Sequence, residues 1–266
     1  MGALDIWNHN KIGMGEVLKT QIGPLLLWFR KIEDEMHIAF ERLSEPDTVV
    51  DATGPVVVNG VEPEGLDWGR WIVGAEKNIV QILPVMPDRP VVVHPESPVK
   101  IPTGHEALFF VSIPVWVRVL IGEKKPIELC EVPVLILSNT WFGDPLSGQL
   151  CYSLRSRARR QIKDSETNPS RAICPVKIRN TSPKQLDMER LCVHVEHLKT
   201  YGGDKNLWTN GVAVTFRGED QVSKIDYSRE RPSFEPISGM LSEARTPIKE
   251  TILKKSIGSF KFFGGI

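Results

Sequence analysis

The sequence predicts an all-β protein, built as two contacting β-sandwich-like domains with a short C-terminal amphipathic helix. Three observations predict it. Apolar residues alternate with a period of two in segment after segment, the mark of strands with one buried face. Continuous β-branched or apolar runs at Pro55-Val-Val-Val, Pro90-Val-Val-Val and Val134-Leu-Ile-Leu have the composition of core strands. The 20 prolines and 21 glycines break these runs about every ten residues, a spacing of sandwiches and barrels rather than of βαβ units.

In chain order, Leu25–Arg30 and Glu35–Arg42 form a hairpin with polar Lys31-Ile-Glu-Asp as its loop, and Met36, Ile38 and Phe40 share a face. Prolines around Val91–His94 and Val99–Ile101 suggest edge strands that resist further pairing. From Glu131 to Arg160 an apolar strand runs into Trp141-Phe-Gly-Asp-Pro and returns as a strand alternating with arginine, a second hairpin. The polar stretch 161–170 reads as a linker. Beyond it, Leu191, Val193 and Val195 share one strand face with Cys192 and His194 on the other, and Val212, Val214 and Phe216 line another strand. The resulting division is an N-terminal β-rich domain over 1–160, a second over 171–236 and a tail over 237–266. In that tail Thr246 can cap a helix that starts at Pro247. Ile248, Ile252, Leu253, Ile257 and Phe260 then form a stripe, with Lys249, Lys254, Lys255 and Lys261 mostly off it and Gly258 interrupting. Such a helix docks on its own domain, on a partner, or, through Thr246–Phe263, on an anionic membrane surface.

A chain of 266 residues, 41% apolar and 25% charged, has the composition of a folded globular protein. No apolar run of about 18 residues predicts a transmembrane helix. The opening Met1-Gly-Ala-Leu-Asp-Ile-Trp lacks a signal-peptide pattern, so a cytoplasmic location is expected. Net charge is zero, but residues 1–145 carry 12 Lys and Arg against 20 Asp and Glu, and residues 146–266 carry 21 against 13. That asymmetry fits an anionic partner for the basic half, or attraction between the halves within or between subunits. Cys130, Cys151, Cys174 and Cys192 lie in apolar runs without Cys-x-x-Cys spacing, so free buried thiols are expected.

Four motifs carry candidate chemistry. On a strand, Arg155, Arg157 and Arg159 share a face, with Leu154, Ser156 and Ala158 opposite and Arg160 at the end. Guanidiniums about 7 Å apart suit an anion or a phosphate backbone; the plainer reading is a solvated face paired with acids such as Glu128 and Glu131. Trp141, Phe142, Asp144 and Tyr152 make a turn on which a sugar or base could stack, or a plug for a sandwich end. Cys174, Cys192 and His194 could meet in a Cys2His arrangement, but the spacing matches no zinc pattern, and neither metal nor cofactor is expected. His197 belongs to the same run but falls on the opposite face of a straight strand, and His9, His37, His94 and His105 are scattered singly. No phosphate-binding, dinucleotide, hydrolase-elbow or metalloprotease motif is present.

Three phrases resemble the prokaryotic family called domain of unknown function 432: Leu83-Pro-Val-Met-Pro-Asp-Arg-Pro-Val-Val-Val-His-Pro-Glu, Ser112-Ile-Pro-Val-Trp-Val-Arg-Val, and Leu137-Ser-Asn-Thr-Trp-Phe-Gly-Asp-Pro-Leu-Ser-Gly-Gln-Leu-Cys-Tyr. The likeness continues through Cys174-Pro-Val-Lys-Ile-Arg-Asn and Leu207-Trp-Thr. It implies a whole-chain unit and brings no activity and no catalytic residue. The expected function is therefore a cytoplasmic binding or interaction module without catalysis, in a homo-oligomer or with a protein partner. The alternatives are an enzyme on an anionic small molecule, with Arg155, Arg157 and Arg159 holding the anion and Asp144 or Glu131 as acid/base, and a peripheral membrane accessory protein.

Overall fold

The computed structural model describes residues 6–43, 52–58, 63–162, 168–248, 251–254 and 256–258, and their regular structure is β except for one 3-10 turn at Val195–His197. The first strands are β1 (His9–Lys11), β2 (Val17–Ile22), β3 (Leu25–Ile32), β4 (Glu35–Arg42), β5 (Ala52–Val57), β6 (Gly69–Ile72), β7 (Ile79–Val85) and β8 (Val91–Pro95). Next come β9 (Val99–Ile101), β10 (Glu106–Pro114), β11 (Trp116–Ile121), β12 (Ile127–Pro133), β13 (Ser138–Phe142), β14 (Gln149–Ala158), β15 (Arg171–Asn180) and β16 (Leu186–Met188). The last are β17 (Arg190–Val193), β18 (Thr200–Gly203), β19 (Leu207–Thr209), β20 (Val212–Phe216), β21 (Ser223–Tyr227), β22 (Ile237–Ser242), β23 (Ile252–Lys254) and β24 (Ile257–Gly258).

These pair into a sheet β5-β2-β3-β4-β6, a sheet β1-β7-β11-β12, a sheet β13-β14-β8-β17-β24, the pair β16-β9, and a larger sheet β22-β18-β19-β15-β20-β21-β23 to which β10 adds on β15. The β10–β15 ladder is the longest non-local pairing, running from Glu106↔Arg179 to Pro114↔Arg171. It places Phe109, Val111 and Ile113 against Val176, Cys174 and Ala172, all at most 1% exposed. Each such aliphatic or aromatic side chain contributes about 1.5–3 kcal/mol on burial. Strands on either side of residues 161–170 share ladders at β8–β17, β9–β16 and β10–β15.

The first hairpin forms with a tighter turn than expected. Lys31 and Ile32 remain in β3, leaving Glu33-Asp34 as the loop, and Glu33 takes φ 46. Two-residue loops need positive φ to match strand twist. Lys31 is buried and donates to the Gly74 carbonyl at 2.9 Å. Met36 and Ile38 are buried, but Phe40 is 45% exposed near the strand end, under the Arg42 guanidinium.

Three expected elements are corrected. Val134–Leu137 is an irregular crossing between β12 and β13 rather than a core strand; Val134 and Leu135 turn inward while Ile136 is 77% exposed. Pro55–Val57 belongs to the half-exposed outer strand β5 and Val58 lies just past its end, whereas Val91–Val93 is fully buried in β8 between two neighbours. Prolines border β8 without interrupting its ladder. The terminal amphipathic helix is absent from the described residues: Ile252–Lys254 pairs with β21 as β23, and Ile257–Gly258 pairs with β17 as β24. An isolated short helix is marginal, and β-branched Thr251, Ile252 and Ile257 around Gly258 favour extended backbone. Sheet edges supply the partners: Cys192 N–H donates to the Ser256 carbonyl at 2.7 Å and Glu189 N–H to that of Gly258 at 3.2 Å. Residues 249, 250, 255 and 259–266 of that expectation lie outside the described residues. No helix among the described residues is long and apolar enough to cross a membrane.

Candidate functional site: an arginine-rimmed cleft beside the second hairpin

β14 alternates as its sequence requires. Leu154 and Ala158 are buried, and Arg155 and Arg157 are exposed. Its parallel ladder to β8 runs through Tyr152↔Val91, breaks after Ser153 and resumes at Arg157↔His94. Across that irregularity Ser156 Oγ donates to the Ser112 carbonyl at 2.9 Å, and Arg159 exchanges backbone hydrogen bonds with Phe110 at 2.7 and 3.0 Å. The bulge joins β14 to β10.

The four arginines do not act as one row. Arg159 Nε is 3.4 Å from Glu96. Arg160 donates to the Leu108 carbonyl and lies 5.1 Å from the Phe109 ring centre. Arg157 meets no partner among the described residues. Arg155 alone of the four lines a cleft of about 450 Å³. Nor do Glu128 and Glu131 pair with them. Arg118 takes both acids, with Nε 3.2 Å from Glu128 and Nη2 2.5 Å from Glu131. The other Glu131 oxygen receives Arg245 Nη2 at 2.5 Å, while Arg245 Nε donates to the Met86 carbonyl at 2.6 Å and its guanidinium covers Trp116. Glu131 is thus a clamp between β11, β12 and the segment after β22.

The cleft has an apolar lining from Leu43, Pro114, Leu135, Ile136, Leu137 and Leu154, and a cationic rim of Arg42, Arg155 and Arg171. Arg171 is aimed by three hydrogen bonds, to Ser112 Oγ and the Ser112 carbonyl at 2.8 Å each and to Ser156 Oγ at 3.0 Å. Arg42, at the end of β4, spends Nε and Nη2 on one acceptor, the Pro133 carbonyl, at 3.0 and 2.6 Å. Burial holds its guanidinium below the ordinary arginine value, and no carboxylate faces it among the described residues. Sequence reasoning found Arg155 and missed Arg42 and Arg171. They converge only because the irregular 134–137 segment, β14 and two strand ends meet here, and no local spacing signals that.

The aromatic turn separates into two faces. Register pairs Trp141 with Leu150, so these and Tyr152 point the same way. Trp141 is 47% exposed, Leu150 44% and Leu146 fully so. Trp141 Nε1 donates to the Asp144 carbonyl at 2.9 Å, and Asp144 Oδ2 accepts from Ser147 at 3.4 Å. Tyr152 donates to Asp88 at 2.9 Å beneath Arg89. Phe142 points inward, 2% exposed, into a cluster with Val92, Cys151 and Cys192. A four-residue stacking platform is therefore not assembled.

Cys174 does not join Cys192 and His194. It sits in the β10–β15 core, where burial pushes its thiol up to about 12. Cys130 reaches about 12 too, through burial and the nearby Glu128 and Glu131.

An all-β chain of many short, mixed ladders, with an apolar, arginine-rimmed cleft on its surface, is the class that fold and site define. The chain belongs to the family described as protein of unknown function (DUF432), whose model matches residues 6–262. No curated protein and no solved structure matches it.

Proposed function

We propose that this chain is a non-catalytic binding module whose cleft takes an amphiphilic anion, a carboxylate, sulfonate or phosphate head on an apolar body. The observation that carries the reading is Arg42, a half-buried guanidinium at the mouth of an apolar cleft that meets the Pro133 carbonyl and the Phe40 ring and no carboxylate among the described residues. A desolvated cation without a counter-ion gains most from a ligand that supplies one. The size of about 450 Å³ suits a small organic molecule. Among the described residues the lining offers hydroxyls from Ser138 and Ser153 and no carboxylate, histidine or thiol, which supports binding groups without a general acid or base. Of the acid/base residues in the enzyme alternative, Glu131 is engaged by two arginines and Asp144 lies in the hairpin turn.

The test is a fluorescence titration with 8-anilinonaphthalene-1-sulfonate, an apolar anion. Saturable one-site binding that weakens with salt, and that Arg42→Gln and Arg155→Gln each weaken about tenfold, supports the cleft; each lost charge-assisted contact is worth about 1.5–3 kcal/mol or less after screening. Binding unchanged in both variants sinks it.

A second reading rests on a separate observation. β13 is an outer strand, and Trp141, Leu146 and Leu150 leave apolar surface beside an edge that pairs with no strand among the described residues. Edges of this kind accept another strand, which supports a protein partner or a second copy. A monomer by sedimentation at all accessible concentrations would remove the second copy.

A further inference from the structure

Cys151 of β14 and Cys192 of β17 are 0% and 1% exposed, and their sulfur atoms stand 3.9 Å apart. That is contact between two thiols, and each sulfur has only about 1 Å to travel to the S–S bond length of roughly 2.05 Å. The pair belongs to one small buried cluster with Val92 and Phe142, so both side chains face the same space. β14 and β17 each pair with β8, yet the two cysteines are 41 positions apart in the chain. They lie on either side of residues 161–170, and no local spacing brings them together.

The surroundings favour reaction at this pair rather than at the other thiols. The hydrogen bond between the two sulfurs holds the Cys151 thiol below its ordinary value and the Cys192 thiol above it. A thiol lowered in this way is the readier nucleophile. Gln149 Nε2 donates to Cys192 Sγ at 3.5 Å, an N–H that supports negative charge on that sulfur in its turn. Burial instead pushes Cys130 and Cys174 up to about 12, which keeps them as unreactive thiols. Phe142, which packs on the pair, ends β13, an outer strand of the sheet. Fraying of such a strand admits a small oxidant without opening the main core.

We propose that Cys151 and Cys192 are a redox pair that a small peroxide converts to a reversible disulfide tying β14 to β17. The Cys151 thiolate attacks one peroxide oxygen. The O–O bond breaks, and hydroxide leaves as water with the proton that Cys151 gave up. Cys151 is then a sulfenic acid. The Cys192 thiolate attacks its sulfur, the S–S bond forms, the S–O bond breaks, and hydroxide leaves with the Cys192 proton as a second water. Two electrons pass from the two thiols to one hydrogen peroxide, giving one disulfide and two waters. The bridge closes a loop that contains residues 161–170 and β15. The oxidised chain therefore keeps the second hairpin on β17 under conditions in which the reduced chain lets it open.

Mass analysis of the full chain tests the pair. Reduced protein is treated with hydrogen peroxide and then alkylated with N-ethylmaleimide in denaturant. It should lose two hydrogens and take up two labels, where the untreated chain takes up four, one for each free cysteine. Peptide mapping should join the Cys151 and Cys192 peptides, and dithiothreitol should restore all four labels. Oxidation should lower the unfolding equilibrium constant about 100-fold and raise the thermal midpoint. Cys151→Ser and Cys192→Ser should each abolish the bridge and its stabilisation, and Cys130→Ser should leave both unchanged. If the buried serine variants do not fold, the wild-type peptide map decides, together with Cys151→Ala. The proposal is overturned by four labels after peroxide, by a bridge that forms only once the chain is denatured, or by a bridge that includes Cys130 or Cys174. Cys151 carried on to sulfinic acid with Cys192 still free overturns it as well.

Discussion

Two arginine centres in this molecule use the same side chain for opposite ends. At Glu131, two guanidiniums close on one carboxylate that is 13% exposed, joining β11, β12 and the segment after β22. At the cleft, Arg42 is held just as firmly, but by a carbonyl that cancels none of its charge. A paired buried charge is structural, since its electrostatic demand is met within the fold. A positioned charge whose demand is unmet among the described residues is the group we propose for binding. The difference lies in the partner, which is invisible in a list of arginines.

The largest expected effect is at the clamp. Glu131→Ala leaves Arg118 and Arg245 facing each other without the acid between them. Denaturant unfolding should show a loss of about 3 kcal/mol, the range for breaking a partly buried ion pair. A loss under about 0.5 kcal/mol would make the clamp an ordinary surface contact and erase the contrast.

Arg42→Gln should invert that pattern. Binding of the apolar sulfonate should fall about tenfold, while stability falls by only about 1 kcal/mol for the lost hydrogen bonds to Pro133. A stability loss as large as at Glu131, with binding intact, would make Arg42 structural as well.

Raising the pH separates charge from burial. Arginines stay protonated throughout, so an alkaline loss of stability reports other groups. The Cys174 thiol is raised from 9.0 to about 12 in the folded chain. The unfolded chain therefore gives up this proton first, and the thiol's contribution is intact below pH 9 and declines from there toward pH 12. At pH 10 the share of the decline due to Cys174 should be about 1.4 kcal/mol; Cys174→Ala should decline between pH 8 and 10 by that much less than the parent chain, keeping the share of Cys130, which is raised likewise. A flat profile from pH 8 to 10 would show that Cys174 is not so protected.

The smallest effect is expected at Arg157, exposed and without a partner among the described residues. Arg157→Gln should change unfolding free energy by less than about 0.5 kcal/mol and leave cleft binding within twofold. A marked loss of affinity would extend the site along β14 beyond Arg155.

Some of this was legible from the chain alone. Period-two alternation follows from strand geometry, so the all-β class, the inward Leu154 and Ala158, the outward Arg155 and Arg157 and the paired turn at Trp141 could be read residue by residue. Family membership was legible too, because it is a property of wording over most of the chain. Amphipathicity misled at the C-terminus. Ile252 and Ile257 mark a buried side without saying whether a helix or two short strands will bury it, and the open edges of β21 and β17 decided that. Tertiary structure alone brought Arg42 and Arg171 to Arg155, gave Glu131 to Arg118 and Arg245, and set Cys151 rather than Cys174 against Cys192. Local pattern depends on neighbours two residues apart, whereas a site depends on which strands become neighbours. That choice is made by core packing and ladder register across distant segments, and no short window of sequence contains it.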